Sequence, residues 1–409
     1  MISKLKADGM AAGTLYLHQA RERLERLKIS IDQMVDMGRK MARPLLAGGA
    51  LFTPPTTSWF GNEYGGRAGG FMGLHDANDV PQSDKDVAFL ALPDPRCTTT
   101  ATRKLLEKLA ASSAQLFVVG TPAELPKQLH TRIAGFTGGD SVTQGEYRFG
   151  EFSPLVGFRA FEQFVRMWMT TGELITECIR AGKMPVIWMS VWLEGAFVRN
   201  ASFMNHSNTR EPWSYPMFHE NRYIPPLEPG YASQAFLTAL TAVHERLESQ
   251  LPLLGQAGAW MAAAHRSGHK VHAMAVGHAY PNILEISNPE QYPVRWWPPM
   301  SDLNRAVPMK IGQDEVVLHL GYAPVDIVDV QRIVDRGVKF IYTSPYGRPA
   351  ALKDHPNLLW FDLPWRPTDA TVDVPGYSVR ILPMSSSAQA LAYNAMMAEF
   401  AQAMQWSRQ

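Results

Sequence analysis

The feature that most constrains this chain is a β-α-β plan that begins twice. Residues 47–53 are short, apolar and bounded by glycine and proline, which is the pattern of a buried strand. Residues 85–93 and 114–120 repeat it, with a helical stretch over 101–110 between them. Strands alternating with helices imply a parallel sheet covered by helices. An amphipathic helical lead over residues 9–44 precedes this unit, with Leu15, Leu24, Leu27, Ile31, Met34 and Met41 mostly three or four apart. The order recurs from Gly230: a helical lead over 231–266, then strands over 268–276, 314–321 and 338–344, with a helix over 325–336. A further strand over 379–383 leads into a last helix over 386–406. The two starts lie about 220 residues apart, far beyond the roughly 20 to 50 residues of a solenoid repeat, so the plan is a duplicated unit.

Length agrees, because 409 residues exceed the roughly 250 to 300 at which one core stops growing. The expected division is 1–199, a connector at 200–229 rich in proline and aromatic residues, and 230–409. The aromatics point to a packed connector, since free motion needs a Gly/Ser chain. Lys and Arg number 39 against 38 Asp and Glu, so no basic excess is present to track a phosphate backbone, and nucleic acid is excluded as an expected partner. Cys97 and Cys178 stand far apart, without the spacing of a disulfide framework or a structural zinc site. No apolar signal core and no membrane-length apolar run is present, so a cytoplasmic location is expected, with no metal and no cofactor.

Chemistry is expected where the first strand turns into its helix. There Thr56, Thr57 and Ser58 offer hydroxyls for an anion or a sugar hydroxyl, or for capping the helix. Glu63, two turns further on, is a candidate base for moving a proton through an enediol, or a solvated helix carboxylate. Glu285 follows His278 by the same interval of seven that separates Glu63 from Thr56. His278 is a candidate proton shuttle, whereas His272 in its strand reads as a packed or surface residue. The glycines at 65, 66, 69 and 70 do not spell a dinucleotide fingerprint.

The segment Phe52-Thr-Pro-Pro-Thr-Thr-Ser-Trp-Phe-Gly-Asn-Glu-Tyr-Gly-Gly-Arg-Ala-Gly-Gly70 resembles the first phosphate loop and helix of sugar isomerase (SIS) domains, in which a Gly-x-Gly-His-Ser turn leads to a Glu and then Arg-Ala-Gly-Gly. Residues 267–278 resemble the same strand and turn, residues 335–344 a later helix-to-strand step, and Pro383-Met-Ser-Ser-Ser387 the start of the final helix. The sequence departs from the family where Pro54 and Pro55 replace loop glycines, and where Ser-x-Ser-Gly gives way to Thr98-Thr99-Thr100 and to Tyr322-Ala-Pro-Val.

The resemblance implies two doubly wound, flavodoxin-like α/β domains of SIS type that face each other as an internal pseudo-dimer. It implies a small-molecule partner, a sugar or sugar phosphate, and leaves homo-oligomerisation open. Glu63, Glu285 and His278 are the implied catalytic groups, and Thr56, Thr57, Ser58, Thr98, Thr99, Ser385, Ser386 and Ser387 the implied ligand-binding groups. Three functions follow as expectations: isomerisation of a phosphosugar through a Glu base, non-catalytic sugar binding with a regulatory role, or a lyase or etherase reaction on an amino-sugar phosphate.

Overall fold

The computed structural model describes residues 11–53, 59–76, 83–92, 107–109, 111–120, 129, 131–138, 147–148, 154–156, 158–203, 215–275, 293–296, 311–321, 326–366 and 368–405. The first helical lead forms as two helices, α1 (Ala12–Ile29) and α2 (Ile31–Leu46). The chain breaks at Ser30, whose N–H bonds back to the carbonyls of Arg26 and Leu27. Then follow β1 (Leu51–Thr53), the short α3 (Trp59–Tyr64), β2 (Leu74–Asp76), β3 (Val87–Leu92), β4 (Gln115–Gly120) and β5 (Ile133–Thr137). An antiparallel pair, β6 (Tyr147–Arg148) and β7 (Pro154–Val156), leads to the 22-residue α4 (Arg159–Arg180). After α5 (Ala196–Ala201) the second lead again divides, into α6 (Tyr231–Glu248) and α7 (Leu251–Arg266), with proline in the first turn of α7, where a missing N–H is harmless. The second half continues with β8 (Val271–Ala275), β9 (Val294–Trp296), β10 (Val316–Leu320), α8 (Ile327–Asp335), β11 (Lys339–Ser344) and β12 (Leu358–Asp362). It closes with β13 (Ala370–Val372), β14 (Ile381–Pro383) and α9 (Ser385–Ala403).

Each half builds a five-stranded, all-parallel sheet, ordered β2-β1-β3-β4-β5 in the first and β12-β11-β10-β8-β9 in the second. Counted within its own half, each order reads 2-1-3-4-5, the flavodoxin-like doubly wound arrangement. The fold class expected from sequence is therefore present twice. The strand expected over 379–383 forms as β14, but it pairs antiparallel with β13 outside both sheets.

Side chains alternate across each sheet, and both faces are covered. In the first sheet Val87, Phe89, Phe117 and Val119 face inward, while Ala88, Leu90, Leu116 and Val118 join a smaller outer cluster. In the second, Val316, Leu318, Ile341 and Phe361 face inward, and Val317, Phe340, Tyr342 and Trp360 pack outward with α8. The inner faces of both sheets and the long helices form one continuous core. At its centre lie α4, where Phe164, Trp168 and Leu174 are fully buried, and α9, where Leu391, Tyr393, Met396 and Phe400 are fully buried. Each such large side chain contributes about 1.5–3 kcal/mol on burial. Over 215–229 Phe218 bridges to Pro185 and Ile224 and Leu227 are buried, while Tyr223 is 74% exposed.

Helices cross closely at glycines. A Cβ on Gly258 of α7 would lie 2.5 Å from the Glu399 Cβ and 2.7 Å from its carbonyl carbon on α9. Gly258→Ala must push these helices apart. It is expected to cost about 1–3 kcal/mol, read as a lower denaturant midpoint with an unchanged slope.

Candidate functional site

Glu63 lies on α3, just beyond the end of β1, and its side chain is fully buried. One carboxylate oxygen, Oε1, accepts a hydrogen bond from the Trp168 Nε1–H of α4 at 3.0 Å. The other, Oε2, accepts from the Ser386 hydroxyl of α9 at 2.8 Å. Arg67, three residues past the end of α3, brings its Nη1 to 3.5 Å from Oε2. Its Nη2 donates to Asp369 Oδ2 at 2.8 Å and to the Ser385 hydroxyl at 2.7 Å. Asp369 turns its other oxygen to the N-terminus of α9, accepting from the backbone N–H of Ser385 at 2.8 Å and of Met384 at 3.2 Å. Two carboxylates thus share one guanidinium in a site closed to water, and the site joins the first half to the second.

The backbone around this cluster is held in costly conformations. Asp369 has φ of 70° and Leu382 of 64°, and a bulky residue in the left-handed region costs about 1–3 kcal/mol. The Leu382 N–H donates to the Gly69 carbonyl at 3.0 Å, while the Gly69 N–H donates to Trp188 O at 2.8 Å. Gly69 itself has φ of 86°, and a Cβ there would stand 2.8 Å from the Leu382 nitrogen, so the position requires glycine. Burial drives the Glu63 carboxyl above the ordinary carboxylate range, opposed by Arg67 and by the donors Ser386 and Trp168.

Of the residues singled out from sequence, Glu63, Ser385 and Ser386 come together here. Ser387, next on α9, is fully buried and its hydroxyl has no partner among the described residues. Thr56, Thr57, Ser58, Thr98, Thr99, His278 and Glu285 lie outside the described residues. His272 is a packed strand residue, 3.0 Å from Glu315 Oε2. Sequence reasoning missed Arg67, Trp168 and Asp369 as members of the cluster. Arg67 stood within the Arg-Ala-Gly-Gly segment that carries the resemblance, which was a usable signal for one of them.

A second buried polar group lies on the outer face of the second sheet. His319 on β10 is in register with Tyr342 on β11, and Tyr342 with Trp360 on β12. The His319 and Tyr342 rings stack at 4.9 Å and 26°. The imidazole Nδ1 has no hydrogen-bond partner among the described residues, and burial pushes its pKa down to about 3. Among the described residues no group of three or more His, Cys, Asp or Glu side chains is placed to hold a metal ion, and no helix is long and apolar enough to cross a membrane.

No family model and no curated protein matches the chain. Solved structures do resemble it. The C-terminal domain of glucosamine-fructose-6-phosphate aminotransferase from Francisella tularensis is 12% identical, with 98% of each chain covered and a TM-score of 0.49. Tagatose-6-phosphate ketose/aldose isomerase from Escherichia coli is 9% identical, with 98% of this chain and 94% of that chain covered and a TM-score of 0.44. The likeness is one of fold, and the architecture assigned here rests on the strand order of the two sheets.

Proposed function

We propose that this chain binds a phosphorylated sugar in the crevice above β1 and β3 of the first sheet, and that the Glu63 cluster holds that crevice against the second half. The observation that carries the reading is the strand order. In a 2-1-3-4-5 sheet the chain reverses direction between β1 and β3, and ligands of such sheets sit at that switch point, beyond the carboxyl ends of the strands. β1 and β3 pair in parallel, so the segments carrying Thr56, Thr57 and Ser58 and carrying Thr98 and Thr99 both start from that edge. Hydroxyl and backbone donors there suit a phosphate. Glu63 has both oxygens engaged inside the protein, which favours a positioning role for it.

A second reading keeps Glu63 as the base of an isomerisation, and its burial-raised basicity favours that. Glu63→Gln separates the two. A base variant loses turnover while sugar binding persists, whereas a positioning variant loses affinity together with stability.

The test of binding is a thermal-shift and calorimetric titration of the whole chain with fructose 6-phosphate, glucosamine 6-phosphate, tagatose 6-phosphate and the unphosphorylated sugars. A phosphorylated ligand at about 100 times its Kd is expected to add about 2.7 kcal/mol, with the gain removed by Thr56→Ala/Thr57→Ala/Ser58→Ala. Equal responses to phosphorylated and unphosphorylated sugars, or none to either, would overturn the proposal.

A further inference from the structure

The turn between β13 and β14 carries Tyr377, and basic side chains from α5 and the connector gather round its ring. Arg199 of α5 donates from Nη2 to the Tyr377 hydroxyl at 2.8 Å. His219 brings Nε2 to 3.0 Å from the same oxygen. The Arg222 guanidinium lies over the Tyr377 ring, 5.4 Å from its centroid, with Nη2 at 3.5 Å from the Gly376 carbonyl. A phenol that accepts from a guanidinium gives its one proton to the imidazole, which assigns the ring proton of neutral His219 to Nδ1.

Among the described residues no carboxylate lies within ion-pair distance of Arg199, Arg222 or His219. Burial pushes two arginines, Arg23 and Arg199, below the ordinary range. Arg23 has Glu162 at 3.2 Å, whereas Arg199 has the Ile187 carbonyl, the Asn200 amide oxygen and a phenol. Burial, and then the charges of Arg199 and Arg222, push His219 down to about 4. Positive groups held together in this way destabilise one another, and an anion among them relieves all three.

The cluster is open to a ligand. Arg222 is exposed, and Arg199, His219 and Tyr377 are half-buried. The Arg199 Nε–H and the His219 Nδ1 bond nothing in the protein, and neither is sealed from solvent, so both can meet an incoming oxygen. Val198 and Tyr223, chain neighbours of the two arginines, are 78% and 74% exposed. Two fixed positive charges match a dianion, and guanidinium and imidazole N–H groups suit the several oxygens of a phosphate.

We propose that Arg199, His219 and Arg222 bind a phosphate dianion, free or at the end of a small molecule, and that this anion ties the connector to the β13–β14 turn. The site uses none of the residues assigned to the crevice of the first sheet, and the proposal stands whatever that crevice binds.

The experiment labels the histidine rings of the full chain with nitrogen-15 and titrates it, at about pH 8 where phosphate is a dianion and at constant ionic strength, with inorganic phosphate, phenyl phosphate and acetate. The His219 signals are those lost in His219→Gln. Saturable shifts of the His219 Nδ1 resonance are expected with both phosphates, at least tenfold tighter than with acetate. Arg222→Gln, at an exposed side chain, should weaken them about fivefold, and Arg222→Lys should retain most of the affinity. Tighter binding of phenyl phosphate supports a small molecule whose remainder lies along Val198 and Tyr223, and equal binding supports the phosphate group as the whole determinant. No saturable shift at His219, equal affinity for phosphate and acetate, or an unchanged response in Arg222→Gln overturns the site. A His219 response lost in Thr56→Ala/Thr57→Ala/Ser58→Ala overturns it too, because the anion would then be bound in the crevice and sensed at a distance.

Discussion

Arg67→Met is expected to lower the unfolding free energy by about 3–5 kcal/mol, the cost of leaving a buried charge without its partner. The variant removes the one guanidinium set between Glu63 and Asp369, side chains at most 3% exposed. It also removes the donor to Ser385 at the start of α9. Glu63→Gln is milder, about 1.5–3 kcal/mol, because glutamine keeps one oxygen as an acceptor for Trp168, while its amide nitrogen replaces the oxygen that accepts from Ser386 and faces Arg67. Joining Arg67→Met with Asp369→Asn should recover part of the loss, since the second change removes a charge that the first left stranded. A coupling of about 1–3 kcal/mol in that double-mutant cycle, measured by urea denaturation, is the expected outcome. A loss below about 0.5 kcal/mol in Arg67→Met would show that the cluster admits water and that its closed geometry has no energetic weight.

Acid is expected to unfold this protein partly through His319. Its folded pKa lies at about 3 against an ordinary 6.5, because burial excludes the charged ring. A depressed histidine pKa means that the unfolded state takes up the proton first. The stabilising contribution is therefore complete above pH 6.5 and is lost as the pH falls towards 3. Across that window the loss from this one group amounts to roughly 4–5 kcal/mol. Glu63, Glu173 and Glu399 act in the opposite sense. Burial raises each of them, so each favours the folded state as the pH falls and costs stability as the pH rises through its folded value. The quantity to measure is thus a difference: urea unfolding from pH 7.5 to 4 for the natural chain and for His319→Leu. The variant should lose part of the acid-induced decline, and parallel curves would mean that the imidazole reaches solvent before the protein unfolds.

Much of the architecture was legible because parallel strands buried on both faces advertise themselves. Val316 to Leu320 is a run of four apolar residues and His319 closed by glycine, and the strand formed there within the expected residues. The same rule hid shorter strands. Three residues, as in β2, β9 and β13, are too few to show a period. The long helix α4 escaped for a different reason. Its polar positions, among them Gln163, Arg166 and Glu173, are themselves buried against other elements, so the helix packs on more sides than its sequence rhythm suggests, and it was passed over next to the Gly-rich stretch that precedes it. In the candidate site, Glu63 stood out by its distance from the hydroxyl cluster, and Ser385 and Ser386 by resemblance alone. Asp369 carried no local signal, because its role depends on a left-handed backbone and on an arginine some 300 positions away. The helical leads expected over 9–44 and 231–266 each form as two helices: the Ser30 hydroxyl donates back to the Leu27 carbonyl between α1 and α2, and Pro252 sits in the first turn of α7.

The central place of α9 bears on how such a chain comes to be made. This helix lies last among those described, is enclosed on nearly every side, and receives the N–H of Gly13, near the opposite end of the sequence, on its Glu399 carboxylate at 2.6 Å. During synthesis the ribosome releases α1 first and α9 last, so the nascent chain spends most of its translation with an open apolar trough and no helix to fill it. Slowing the ribosome late in the message would lengthen that exposure, whereas slowing it early would not.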